Sequence, residues 1–88
     1  MFEWDEDKRL KNLAKHKLDF VGARSLFDGR RTVSVESNYP FEARLVTTAM
    51  IDGKLYTVVW TWRDEVRRII SLRRARDGEE RAYHQAHG

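Results

Sequence analysis

Two stretches rich in β-branched and aromatic residues, Tyr56-Thr57-Val58-Val59-Trp60-Thr61-Trp62 and Ile69-Ile70-Ser71-Leu72, dominate the second half of the chain. Such residues fit a pleated, half-buried surface, so both stretches predict strands. Apolar side chains fall at odd and even positions alike, which predicts central strands covered on both faces. Residues 44–51 predict another strand, joined to one over residues 55–62 by Asp52-Gly53, a dipeptide preferred in two-residue hairpin turns. A tight turn there pairs Ile51 with Lys54 and sets Leu45, Thr47 and Ala49 on one face with Tyr56, Val58 and Trp60. The Thr-Val-Ser-Val alternation within residues 31–37 predicts a further strand, broken by Ser37-Asn38-Tyr39-Pro40. The last strand, residues 66–73, follows the short connection Arg63-Asp64-Glu65.

The period changes in the first third. Asp5 caps a predicted helix over residues 6–15, with Leu10, Leu13 and Ala14 as its apolar face. Asp19 caps a second over residues 20–27, where Phe20, Ala23, Leu26 and Phe27 share a side and Asp28-Gly29 supplies the stop. Residues 77–86 are helical by propensity and have only Ala82, Tyr83 and Ala86 to bury. The pattern predicts one α+β domain over residues 1–88: two N-terminal helices, a four-stranded, mainly antiparallel sheet and a C-terminal helix.

An 88-residue chain that is 41% hydrophobic and 35% charged has room for one core. No run approaches the roughly 20 apolar residues of a membrane span, and Met-Phe-Glu-Trp-Asp-Glu-Asp lacks the features of a signal peptide, so a cytoplasmic protein without a membrane partner is expected. The absence of cysteine excludes a disulfide staple, a thiol nucleophile and a cysteine-based zinc site. His84 and His87 have helical spacing but no third ligand, so no metal or cofactor is expected.

Charge alters the picture more than composition does. The net charge is +3, yet residues 66–76 hold five arginines and no acid, and arginine outnumbers lysine 12 to 5 along the chain. Guanidinium forks at a strand end match phosphate oxygens bidentately and stay charged at physiological pH. Hairpin geometry sets Lys54 and Tyr56 beside Arg73 at one end of the sheet, with Arg74 and Arg76 next to it. Tyr83 follows within two helical turns, and Glu79 lies one turn before Tyr83. Arg63 belongs to the opposite end, about 25 Å away at about 3.3 Å per residue.

Lys, Arg and Tyr without paired carboxylates suit RNA cleavage by the substrate's own 2′-hydroxyl. The protein then needs only to orient the linkage, neutralise the phosphorane and move protons. His16 and Tyr83 are the proton-transfer candidates. Each residue also has a plainer reading. His16 can cap a carbonyl, Tyr83 can be a packing residue, Glu79 can pair with Arg76 or Arg74, and Trp4, Trp60 and Trp62 can be core. A non-catalytic module that binds nucleic acid or protein through the same basic face is the competing function.

Phe2-Glu3-Trp4-Asp5, then Lys8, Asn12, Lys15-His16, Phe20 and Ala23, resembles the start of BrnT toxins. The resemblance continues through Glu42-x-Arg44, Val58-Val59 with Arg63, Arg68-Ile69-Ile70-Ser71-x-Arg73-x-Ala75, and Glu79 with Tyr83. It implies a RelE-like ribonuclease fold and a bacterial type II toxin that cleaves RNA and arrests growth. It also implies a ribbon-helix-helix antitoxin of BrnA type, a two-plus-two complex containing a toxin homodimer, and operator DNA reached only through the antitoxin. The RelE-like pattern places a basic residue early in its third strand, an arginine at the end of its fourth and a tyrosine beyond. Here these are Lys54, Arg73 with Arg74, and Tyr83. Lys15, His16 and Arg63 also belong to the family's pattern. Lys17 stands where glycine is usual, Lys54 where arginine is usual, and Asp28-Gly29 lacks the common proline.

Overall fold

The computed structural model describes residues 1–88. The elements run β1 (Phe2–Trp4), α1 (Glu6–His16), a 3-10 helix (Phe20–Phe27), β2 (Thr32–Glu36), β3 (Leu45–Ile51), β4 (Lys54–Arg63), β5 (Val66–Arg74) and α2 (Asp77–His87). They form one mixed sheet in the order β1-β5-β4-β3-β2.

Five strands stand where the hydrophobic pattern predicts four. The added one, β1, is three residues long and runs parallel to β5, pairing Phe2 with Arg67 and Trp4 with Ile69. A segment that short carries no readable alternation. What fixes it is tertiary: the Glu3 carboxylate accepts from Arg68 Nη1 at 2.7 Å, and the Arg67 N–H donates to the Met1 carbonyl.

The second helix is a 3-10 helix rather than an α-helix. Its buried residues, Phe20, Ala23 and Leu26, recur every third position, and in a three-residue turn such positions eclipse into one ridge. That ridge meets Ala49, Val58, Trp60, Ile69 and Leu72 of the sheet to form the core. The β3–β4 register is the expected one, with Ile51 opposite Lys54, Thr47 opposite Val58 and Leu45 opposite Trp60. Positive φ at Asp52 and Gly53 gives the tight turn that sets it.

α1 also buries a different face from the expected one. Of the expected face Leu10 and Ala14 are exposed and Leu13 is half-buried, and the buried residue is Asn12. β1 covers the outer edge of β5 only as far as Ile69, and beyond it the Asn12 carboxamide takes the place of a strand. Its Nδ2 donates to the Leu72 carbonyl at 2.8 Å and to the Leu18 carbonyl at 3.0 Å, while its Oδ1 accepts from the Leu72 N–H at 3.2 Å. A sheet edge that would attract another chain is thereby closed.

α1 ends at Lys17, whose φ of 60° lies in the left-handed region and whose N–H donates to the Leu13 carbonyl. Glycine is the residue that adopts that conformation without a Cβ penalty of about 1 kcal/mol. Lys17→Gly is therefore expected to stabilise the fold by about 0.5–1 kcal/mol, read as a higher urea midpoint at unchanged slope.

Candidate active site

α2 crosses the sheet on the face opposite the core. It leaves β5 at Arg76, meets β4 where the Thr57 hydroxyl donates to Glu79 Oε1 at 3.0 Å, and reaches β2 where His87 Nε2 lies 2.8 Å from the Thr32 carbonyl. Arg73 pairs with Thr57 across β4 and β5, so its side chain shares this face with Glu79. The two form a fork-to-fork pair, Nη1 to Oε1 at 2.7 Å and Nη2 to Oε2 at 2.9 Å. The Arg76 N–H adds a bond to Oε1 at 2.8 Å. Thr57 has one hydroxyl proton and gives it to Glu79, so the Thr48 hydroxyl, 2.8 Å away, donates to Thr57. Arg73 is thus the end of a satisfied buried network, with its side chain 12% exposed.

Glu79 therefore pairs with Arg73 and the Arg76 backbone, not with the Arg74 or Arg76 side chain. Hydrogen bonds from Arg73, then from the Arg76 N–H and the Thr57 hydroxyl, outweigh partial burial and hold its carboxyl down at about 2. The native state thus favours the ionised form. The resulting stability is complete above the ordinary carboxylate value of 4.5 and drains away as pH falls from there toward 2. With about a fifth of the side chain in water, the contribution is about 1–2 kcal/mol after screening. Urea unfolding at pH 7 and pH 3 should show that loss, and Glu79→Gln should flatten it.

On the other side of Arg73, His16 closes the last turn of α1 in a groove of about 220 Å³ lined by Lys8, Lys11, Asn12, Lys15, Ile70 and Ser71. Ser71 precedes Arg73 by two positions and so lies on the same strand face. Burial, then the positive charges of Lys15, Arg73 and Arg76, push the His16 imidazole below its usual 6.5. The shift favours the neutral ring, the form that can accept a proton. Arg73 gives one N–H from each of Nη1 and Nη2 to Glu79, and Nη1 also donates to the Arg74 carbonyl at 3.4 Å, which leaves Nε–H and the second N–H of Nη2 without a protein partner.

The remaining candidates are distributed around this point. Arg74 lies on the opposite face from Arg73, stacked 5.4 Å over the Tyr56 ring and opposite Tyr56 in the ladder. The cross-strand neighbour of Tyr56 is therefore Arg74 and not the expected Arg73, one residue earlier. Lys54 is exposed at the β3–β4 turn of the same sheet end. Tyr83 is buried, its ring against His84 and His87. Neither Arg73 nor Tyr83 lines a cavity. Arg63 sits at the far end of the β4–β5 hairpin, opposite Val66 and 3.4 Å from Glu42. There too, the Arg67 guanidinium lies among the rings of Phe27, Trp60 and Trp62, with Trp62 half exposed.

Thr57 and Ser71 enter the neighbourhood through strand register, which composition does not announce. Lys8 and Lys11 were readable, since with Lys15 they fall three and four residues apart on one helical face. No group of three or more His, Asp or Glu side chains is placed to hold a metal ion, and no helix is long and apolar enough to cross a membrane.

Residues 4–79 match a family model described as ribonuclease toxin, BrnT, of type II toxin-antitoxin system. No curated protein matches the chain.

Proposed function

The chain belongs to the BrnT family of ribonuclease toxins of type II toxin–antitoxin systems, and from that premise we propose that it is a metal-independent endoribonuclease whose scissile phosphate sits between His16, Arg73 and Arg76. RNA is the substrate of such a toxin and an antitoxin is its protein partner. The observation that carries the proposed site is the place of the His16 imidazole, in a groove lined by Lys8, Lys11 and Lys15, with Arg73 and Arg76 acting on its charge.

His16 takes the proton from the 2′-hydroxyl as that oxygen attacks the adjacent phosphorus. The bond to the 5′-oxygen breaks, leaving a 2′,3′-cyclic phosphate on one fragment and a 5′-hydroxyl on the other. Arg73, fixed by Glu79, directs its remaining N–H groups at the phosphorane, and Arg76 adds charge at the mouth. Lys15 holds a flanking phosphate. Lys54 and Arg74, at the same end of the sheet on its other face, engage the strand as it leaves. Tyr83 supports the site from beneath α2 and assists proton transfer if the helix lifts. Arg63, already beside Glu42, steers RNA or anchors a subunit contact.

We extend the reading to a single RelE-like toxin domain over residues 1–88 and to a cytoplasmic location. The partner is a BrnA-like ribbon-helix-helix antitoxin in a two-plus-two complex containing a toxin homodimer, which reaches operator DNA through the antitoxin alone. The family likeness supports these, and Phe41, 83% exposed beside Tyr39, offers apolar surface for a partner.

The test incubates antitoxin-free protein with a long RNA in excess chelator. Undiminished cleavage is expected. Loss of cleavage restored by magnesium would contradict metal independence. Salt-sensitive binding without scission would favour the competing binding module, which the prior engagement of Arg73 by Glu79 makes the second reading.

A further inference from the structure

We propose that the outer face of α1 is a track for the phosphate backbone of single-stranded RNA, formed by Lys8, Lys11 and Lys15 and leading into the His16 end of the groove. The proposal rests on the reading of the chain as an RNA-cleaving protein and adds two residues, Lys8 and Lys11, to its binding surface.

The free cationic field of this protein is unevenly divided. Arg9, Arg30, Arg44, Arg63, Arg68 and Arg73 all lie within ion-pair distance of a carboxylate, whereas no lysine does. Asp7 is four residues before Lys11 yet does not pair with it, and Asp5 accepts from the backbone N–H groups of Asp7 and Lys8 through Oδ1 and forms no ion pair with a lysine. Three lysines therefore stand unneutralised on one face of an 11-residue helix. They line a groove with no acidic residue, whose polar lining is completed by Asn12, His16 and Ser71. Asn12 is fully engaged with Leu18 and Leu72, so the groove wall is rigid.

Lys8 and Lys15 are about 10 Å apart along the helix axis at about 1.5 Å per residue. That is about three stacked nucleotide steps of about 3.4 Å. Lysine's compact charge on a flexible stem suits phosphates presented in variable geometry, where arginine's fork would demand alignment. Ile70 is the only apolar residue in the lining, too little for the dry centre of a protein interface. The charge of Lys15 on His16 shows that the track and the proposed proton acceptor share one field.

The experiment measures binding of a mixed-sequence 2′-O-methyl RNA oligonucleotide, which lacks the attacking hydroxyl, against salt concentration. Lys8→Gln/Lys11→Gln should make the plot of log affinity against log salt shallower by about 1.4, about 0.7 for each phosphate no longer neutralised. Lys8→Arg/Lys11→Arg should restore the slope, and Arg81→Gln, beside Asp77 and Glu80 on α2, should leave it unchanged. An unaltered slope in the double glutamine variant overturns the track. So does an unaltered RNA slope accompanied by weaker antitoxin binding, which would assign the lysines to the protein partner. Because no cleavage is read, the slope also separates failure of the track from failure of the proposed catalytic site.

Discussion

Arg73→Ala should lower the rate of RNA cleavage a hundredfold or more, the about 2–4 kcal/mol expected of one preorganised donor aimed at developing phosphorane charge. The guanidinium can supply this because it is held before substrate arrives: Glu79 grips both Nη atoms, and Thr57 and the Arg76 N–H grip Glu79. The same network complicates the single variant, since removing Arg73 leaves a partly buried carboxylate without its countercharge and weakens the fold. Arg73→Ala/Glu79→Ala removes both halves of the pair. It should recover most of the lost stability in urea and none of the lost activity. Glu79→Ala alone, which keeps the guanidinium but frees it to wander, should fall between. Recovery of cleavage in the double variant would mean that Arg73 serves only the fold.

The largest expected stability effect lies away from the chemistry. Asn12→Ala strips partners from the Leu72 N–H and the Leu72 carbonyl and removes one bond to the Leu18 carbonyl. Each buried orphan costs about 1–3 kcal/mol, and water reaching the strand edge offsets part, so about 3 kcal/mol is expected in all. For a domain of this size the thermal midpoint should drop by about 12–24 °C. The variant should also expose the outer edge of β5, so concentration-dependent association by light scattering is expected together with the lower midpoint. A shift of only about 1–2 °C, well short of that range, would show that α1 is held in other ways.

Much of this arrangement is written locally. The β3–β4 register follows from Asp52-Gly53 and a period of two, and Asp5 and Asp19 cap the helices they announce. What escaped is tertiary in origin. β1 is three residues whose strand character comes from β5 and from the Glu3–Arg68 pair, and Asn12 looks like any polar helical residue until the unfinished edge beside it is seen. The spacing of Phe20, Ala23 and Leu26 fits either a loose α-helical face or a 3-10 ridge, and packing against the sheet selects the second.

The candidate site divides in the same way. The cationic strand end was legible from Arg73-Arg74-Ala75-Arg76 alone. The alternation that puts Arg73 with Glu79 and Arg74 with Tyr56 depends on a register shift after Val59, which no residue pattern marks. His16 was visible only as a histidine near neutrality. Its lowered value arises from burial, from Lys15 beside it and from Arg73 and Arg76, and the approach of those two arginines is something only the fold produces.

The most direct measurement is the single-turnover rate of 2′,3′-cyclic phosphate formation on a long RNA, in chelator, across the acid-to-neutral range, for the wild-type chain and His16→Gln. The wild type should lose activity on the acid side with an apparent pKa below 6.5, as the imidazole takes up a proton. His16→Gln should be slower throughout and lack that acid limb. The same limb in both proteins, or fragments ending in 3′-hydroxyl and 5′-phosphate, would contradict the assignment of His16 and the groove beside Arg73 as the place where RNA is cut.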